Sequence, residues 1–187
     1  TMTEDDLSPW TTWPSLHRGV PGSKHHITDF NQELDEVNAA YPSIWNVTSM
    51  QGISTGVCGS LHSYPVPPST YGFPFYIPDP FAKTPETHPK DVEGFQAFNL
   101  SLSRSSGRNT GGSFPWKEAV QAVLSGPRIG IQPGTAFRLG QHLLDERRRK
   151  WPRVRRRTWQ SVLAFDIFLH QLREHRPGFA CFFTNHV

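Results

Sequence analysis

A helix, a glycine and a strand in immediate succession constrain this chain more than any other stretch. In P-S-I-W-N-V-T-S-M-Q (42–51), Pro42 suits an early helical position, and Ile44, Trp45, Val47 and Met50 recur at helical spacing to give an apolar side. Gly52 is a stop signal, and I-S-T-G-V-C-G (53–59) reads as a buried strand. A helix feeding directly into an apolar strand is half of an α/β crossover. The expected fold class is therefore α/β, a mainly parallel sheet flanked by helices. The loop G-S-L-H-S-Y-P-V-P-P-S-T-Y-G-F (59–73) lies beyond the carboxyl end of that strand, where open α/β sheets hold their ligands.

The chain has 187 residues, one domain's length and enough for a core. No apolar run is long enough to span a membrane. The first residues, T-M-T-E-D-D, do not read as a signal peptide, so a cytoplasmic location is expected. Both ends look cut, and the stretch is expected to be part of a longer chain. Cys58 and Cys181 lie in apolar runs and are expected to be buried free thiols. Residues 72–115 are rich in Pro, Ser, Gly and Asn, and read as an irregular insertion studded with Phe73, Phe75, Tyr76, Phe81, Phe95 and Phe98. Within it, Asn99-Leu100-Ser101 has the N-glycosylation pattern, which matters only in a secreted protein.

Further on, a short helix is predicted over 114–124, ending near Gly126-Pro127. Another is predicted over 135–150 with Phe137, Leu143 and Leu144 inward. A third opens at Pro152, carries Trp159, Val162, Leu163, Phe165, Ile167, Phe168, Leu169 and Leu172, and is apolar on most sides. It ends at His175-Arg176-Pro177-Gly178, before a strand over 179–184. The run from Arg147 to Arg157 holds eight cations beside Trp151. It reads as the solvated junction of two helices rather than a nucleic-acid-binding patch.

Near the start, Thr11-Thr12-Trp13-Pro14 has the look of a helix opening. Thr12 is a candidate N-cap, with Pro14 in the first turn. A hydroxyl at that place sits beside free N–H groups that favour an anion, and can serve as a nucleophile on a cradled phosphoryl group.

The residues T-W-P, then G-V-P-G-S-K-H-H-I-T-D-F, resemble the alkaline phosphatase superfamily, most closely its type I phosphodiesterase/nucleotide pyrophosphatase branch. In that branch a threonine before an aromatic residue and proline opens a helix, followed by T-G and a P-x-x-H-G-I turn. Here Arg18-Gly19 and His25-His26-Ile27 hold those places. The interval from Thr12 to Gly19 is shorter than the family's by about one helical turn, roughly 3.6 residues. Thr12 is the candidate because it directly precedes Trp13-Pro14, with Thr11 as the alternative. The order helix, strand, S-Y-P-V-P loop resembles the same family.

That resemblance implies an alkaline phosphatase-like domain, incomplete at both ends, acting as a metal-dependent phosphoric ester hydrolase on a small phosphate-ester substrate. Two divalent metal ions, usually zinc, would serve it, with Thr12 attacking phosphorus and bound to metal. Asn31, close to where the family places an amide that donates to a phosphate oxygen, would stabilise charge there. His186, at the end of the last strand, is a candidate metal ligand. His25 takes the place of a structural histidine, and His17 and His26 read as ordinary loop or core residues. His62 is a candidate substrate contact. With most metal ligands missing from the stretch, it is expected to be inactive alone. The alternatives are another phosphoryl- or sulfuryl-transfer enzyme of the superfamily, and a non-enzymatic basic α/β module that binds nucleic acid. The C/S-x-P-x-R pattern of sulfatases is absent near Thr12.

Overall fold

The computed structural model describes residues 8–29, 32–105, 122, 125–149 and 156–184. Its centre is a parallel sheet of β1 (Thr55–Cys58), β2 (Phe75–Ile77) and β3 (Phe179–Phe182), in the order β2-β1-β3. The expected parallel α/β character is therefore present. Preceding β1 are helices α1 (Pro9–Arg18), α2 (Gly22–His25), α3 (Asp35–Ala40) and α4 (Ile44–Met50). Between β2 and β3 lie α5 (Glu93–Ser105), α6 (Pro133–Arg149) and α7 (Arg156–His175). None of the helices among the described residues is long and apolar enough to cross a membrane.

Both faces of the sheet are covered, as a parallel sheet requires. Strand alternation sends Phe75, Ile77 and Cys58 to one face, where they pack with Phe95 of α5 and Leu163, Ile167 and Phe168 of α7. Val57 and Tyr76 point to the other face and meet Trp45 of α4. Gly56 stands between Phe75 on β2 and Ala180 on β3. A Cβ built on it would lie 2.1 Å from Phe75 Cζ, so the Phe75 ring occupies the space that any side chain at 56 would need.

Several expectations need correction. Residues 72–115 are not an irregular insertion as far as they are described. β2 and α5 fall inside them, and Phe73, Phe75, Tyr76, Phe95 and Phe98 are core. Three strand residues between Pro74 and Pro78 look like loop punctuation, yet the parallel pairing to β1 suffices to make them a strand. The apolar side expected of α4 is mostly outside: Trp45 is buried, whereas Met50 is 77% exposed and Ile44 and Val47 are also exposed. On α6, Phe137 and Leu144 are 66% and 57% exposed, while Leu139 packs on the core and Glu146 is buried. α7 is not apolar all round in its packing. Gln160, Leu163, Ile167 and Gln171 form one buried stripe, with Val162 and Phe165 at the surface. The helix expected over 114–124 lies mainly outside the described residues; 125–129 are helical and run past Gly126-Pro127. Arg147 and Arg148 are exposed near the end of α6, and the centre of the basic run is outside the described residues. Cys58 is buried and Cys181 half-buried, and both are free thiols. Asn99 lies buried in α5, where no glycan could be attached in this fold.

Candidate functional site at the carboxyl edge of the sheet

α1 begins one turn earlier than expected. Ser8, not Thr12, is its N-cap, with Pro9 in the first helical position. The chain holds two cap-and-proline signals in close succession. The first wins because it puts proline directly at the opening position, where its absent N–H is not missed. Thr12 is thus inside the helix, half-buried, and its hydroxyl donates to the Ser8 carbonyl at 3.1 Å. Pro14 falls inside the helix rather than in its first turn.

The same geometry removes the expected phosphate cradle. Pro9 has no N–H. Trp10 N–H donates to Ser8 Oγ at 3.4 Å, and the Thr11 and Thr12 N–H groups go to the Ser8 carbonyl at 3.0 and 2.9 Å. The donors of this helix end are already in use.

What α1 does have is a firm seat at the carboxyl edge of the sheet. Trp13 meets Phe183, just past β3, edge-on with ring centres 4.7 Å apart, and Trp10 meets Phe81, beyond β2, at 6.0 Å. His17 packs on Trp45 at 4.9 Å. Arg18 Nη2 donates to Asn38 Oδ1 at 2.8 Å and Nη1 to the Tyr41 carbonyl, which ties the end of α1 to α3. Gly19 then turns the chain in the left-handed conformation, φ 67°, that closes the helix.

His25 is a brace. Ile27 N–H donates to its Nδ1 at 2.9 Å, so Nε2 carries the proton and donates to Ser15 Oγ at 2.8 Å; Ser15 Oγ in turn donates to the Thr11 carbonyl. His26 follows with φ 51°, left-handed, at the position where the resembled family carries glycine. Replacing His25 with alanine leaves the buried Ile27 N–H without its acceptor, takes the Nε2–H donor from the Ser15 hydroxyl and opens a void. We expect a loss of about 2–4 kcal/mol in urea unfolding, and a loss under about 0.5 kcal/mol would contradict the brace.

His17 and His62 are neighbours of Arg18. Burial, then the Arg18 charge, holds both imidazoles down at about 4. Nearby, Asp79 lies buried two residues past β2. Its Oδ1 accepts from Phe81 N–H at 2.9 Å, and Ser63 Oγ accepts from Asp79 N–H at 3.1 Å, which joins the loops after β1 and β2. Burial raises its carboxyl to about 6, against the pull of backbone N–H groups. Asp79 was not legible because it lies in 72–115, which reads as an irregular insertion. These groups set the acid response. The unfolded imidazoles titrate at 6.5, so the unfolded state binds more protons between about 6.5 and 4, and stability falls as pH drops, by about 3 kcal/mol per histidine. Asp79 works oppositely, gaining about 3 kcal/mol as pH falls from about 6 toward 3.8. The expected net change is a loss of about 3 kcal/mol from pH 7 to pH 4 in denaturant titrations. Stability that stays flat or rises over that window would contradict this balance.

A crevice of about 50 Å³ opens where the three strands end, between Gly59, Pro78 and Phe183 on the sheet side and Asn99 and Ser161 on α5 and α7. Thr12 is not among its lining residues. Asn31 and His186 lie outside the described residues. Among the described residues no group of three or more His, Cys, Asp or Glu side chains could hold a metal ion. The described donors therefore do not fit a two-metal centre, and His17, His25 and His26 do not make one. Comparison with protein-family models, with curated proteins and with solved structures gives no match.

Proposed function

We propose that this chain carries the Thr12 helix of a phosphoric ester hydrolase of the phosphodiesterase kind. The observation that carries the reading is the seat of α1. Trp10 on Phe81 and Trp13 on Phe183 fix α1, the helix that carries Thr12, at the carboxyl edge of a parallel sheet, where α/β enzymes work. The braced His25 and the left-handed His26 are consistent with the turn that the resembled family places after its nucleophile helix.

On this reading Thr12 Oγ leaves the Ser8 carbonyl, attacks phosphorus and gives up its proton to solvent. One ester alcohol departs with a proton, the other stays on the threonine-bound phosphoryl group, and water later cleaves the Thr12–phosphorus link to release the monoester. Releasing the hydrogen bond costs about 1 kcal/mol, small beside a chemical barrier. Divalent metal ions belong to the proposal through the resemblance alone, with Asn31 as phosphate contact and His186 as ligand, and no step is assigned to them. The test is hydrolysis of bis(p-nitrophenyl) phosphate by the full-length protein, with and without zinc, beside p-nitrophenyl sulfate; residues 1–187 alone are expected to be inactive. Turnover of the phosphodiester and not the sulfate is expected; sulfate turnover, or none, would overturn the reading.

A further inference from the structure

The two outer strands of the sheet are finished differently. β2 is closed on its far side. Tyr76 N–H donates to the His88 carbonyl at 2.6 Å, His88 N–H donates back to the Tyr76 carbonyl at 2.8 Å, and Pro74 and Pro78 flank the strand. Beyond β3, no strand lies among the described residues. Phe179 N–H, and Phe183 N–H just past the strand, donate to the Ser54 and Cys58 carbonyls along β1, at 3.0 Å each. Main-chain groups of successive strand residues point to alternate sides, so the N–H and C=O of Ala180 and Phe182 point away from β1. None of the described residues pairs with them. A row of main-chain donors and acceptors in that position is a template for one more strand.

The side chains along this edge narrow the partner. F-A-C-F-F-T (179–184) carries no charge and no proline, the devices by which an outermost strand repels another. All four residues of β3 are half-buried, although Ala180 and Phe182 pack on the core under α7 and Phe179 and Cys181 pack on the core around Trp45. Phe165 of α7, whose ring centre lies 5.5 Å from that of Phe182, is 46% exposed. A strand laid along β3 would therefore have apolar neighbours on both of its faces. That is the setting of an inner strand of a parallel sheet, which is an unbroken apolar run. Parallel neighbours are joined by a crossover within one chain. A second copy brought up by a two-fold axis would instead run antiparallel to β3.

We propose that the outer edge of β3 takes a fourth, parallel strand of about five apolar residues, supplied by the full-length polypeptide from outside residues 1–187. Its carboxyl end would emerge beside Phe183, on which Trp13 of α1 rests, so the loop that follows it would join the same rim of the sheet. The inference does not depend on the hydrolase reading.

The test follows main-chain amides of the full-length protein by NMR. Ala180 and Phe182 are compared with Cys181 and Phe183, whose N–H groups face β1. All of them should exchange at least about 10³-fold more slowly than in an unstructured chain, unaltered by dilution. Ala180 and Phe182 should also show interstrand nuclear Overhauser contacts, in parallel register, to a segment outside residues 1–187. Exchange at Ala180 and Phe182 within about tenfold of an unstructured chain, beside slow exchange at Cys181 and Phe183, would show an open edge and overturn the proposal. Contacts to an antiparallel β3 with protection that fades on dilution, the mark of a second copy, would also overturn it, as would contacts to a segment within residues 1–187. An open edge with phosphodiester hydrolysis intact removes this proposal alone, and failed hydrolysis with the edge paired removes only the enzyme reading.

Discussion

Gly56→Ala is expected to destabilise this protein more than any other single methyl group added to the sheet. The new Cβ would lie 2.1, 2.5 and 2.7 Å from three atoms of the Phe75 ring. Phe75 is fully buried, and its ring sits edge-on to Phe168 of α7 at 6.1 Å, so it has no free direction in which to move. Overpacking typically costs about 1–3 kcal/mol, and an unyielding aromatic puts this site at or above about 3 kcal/mol. For a chain of this size that lowers the melting temperature by roughly 6–12 °C. A second substitution identifies the cause. Phe75→Leu alone is destabilising, but in its presence Gly56→Ala should cost at least about 1 kcal/mol less, a coupling that distant sites do not show. A melting temperature unchanged by Gly56→Ala would mean that β1 and β2 do not pair with Gly56 opposite Phe75.

Thr12→Ala is expected to lower phosphodiester hydrolysis by the full-length protein by about 10³-fold or more, because no other group replaces a lost nucleophile. Its effect on stability should be slight. The hydroxyl's bond to the Ser8 carbonyl is a back-bond within the helix, worth little to it, and alanine is the better helix former. Thr12→Ser should keep part of the rate, since it keeps an oxygen at the same place. Thr11 serves as the contrast. Its side chain is buried against the fold, so Thr11→Ala should act on stability before rate. Equal hydrolysis by wild type and Thr12→Ala, with both folded, would leave α1 a structural helix.

Much of the architecture could be read from residues alone, and the reasons are physical. The helix, glycine and strand at 44–58 are short but strongly patterned, and they reveal a parallel sheet because such a helix packs back on its own strand. The end of α7 at His175 and the strand after Pro177-Gly178 were legible for the same reason. β2 was hidden because three residues between prolines carry no period. The facing of α4 and α6 was misjudged because periodicity tells which residues share a side, not whether another element covers it. Ile44, Val47, Phe137 and Leu144 share sides that none of the described residues fully covers.

The site was legible in outline only. The resemblance placed attention on α1 and its following turn, and α1 reaches the carboxyl edge of the sheet with that turn braced against it. The start of α1 depended on a contest between Ser8-Pro9 and Thr12-Trp13-Pro14 that local pattern cannot settle, and its outcome took away the free N–H groups.

Peptide mapping after an acid quench bears most directly on Thr12. The full-length protein, turning over an aryl phosphodiester and stopped in acid within the first catalytic cycles, should yield one peptide heavier by the phosphoryl adduct, with the modification on Thr12. An adduct on another residue, or hydrolysis that proceeds with every peptide unmodified in wild type, would contradict it.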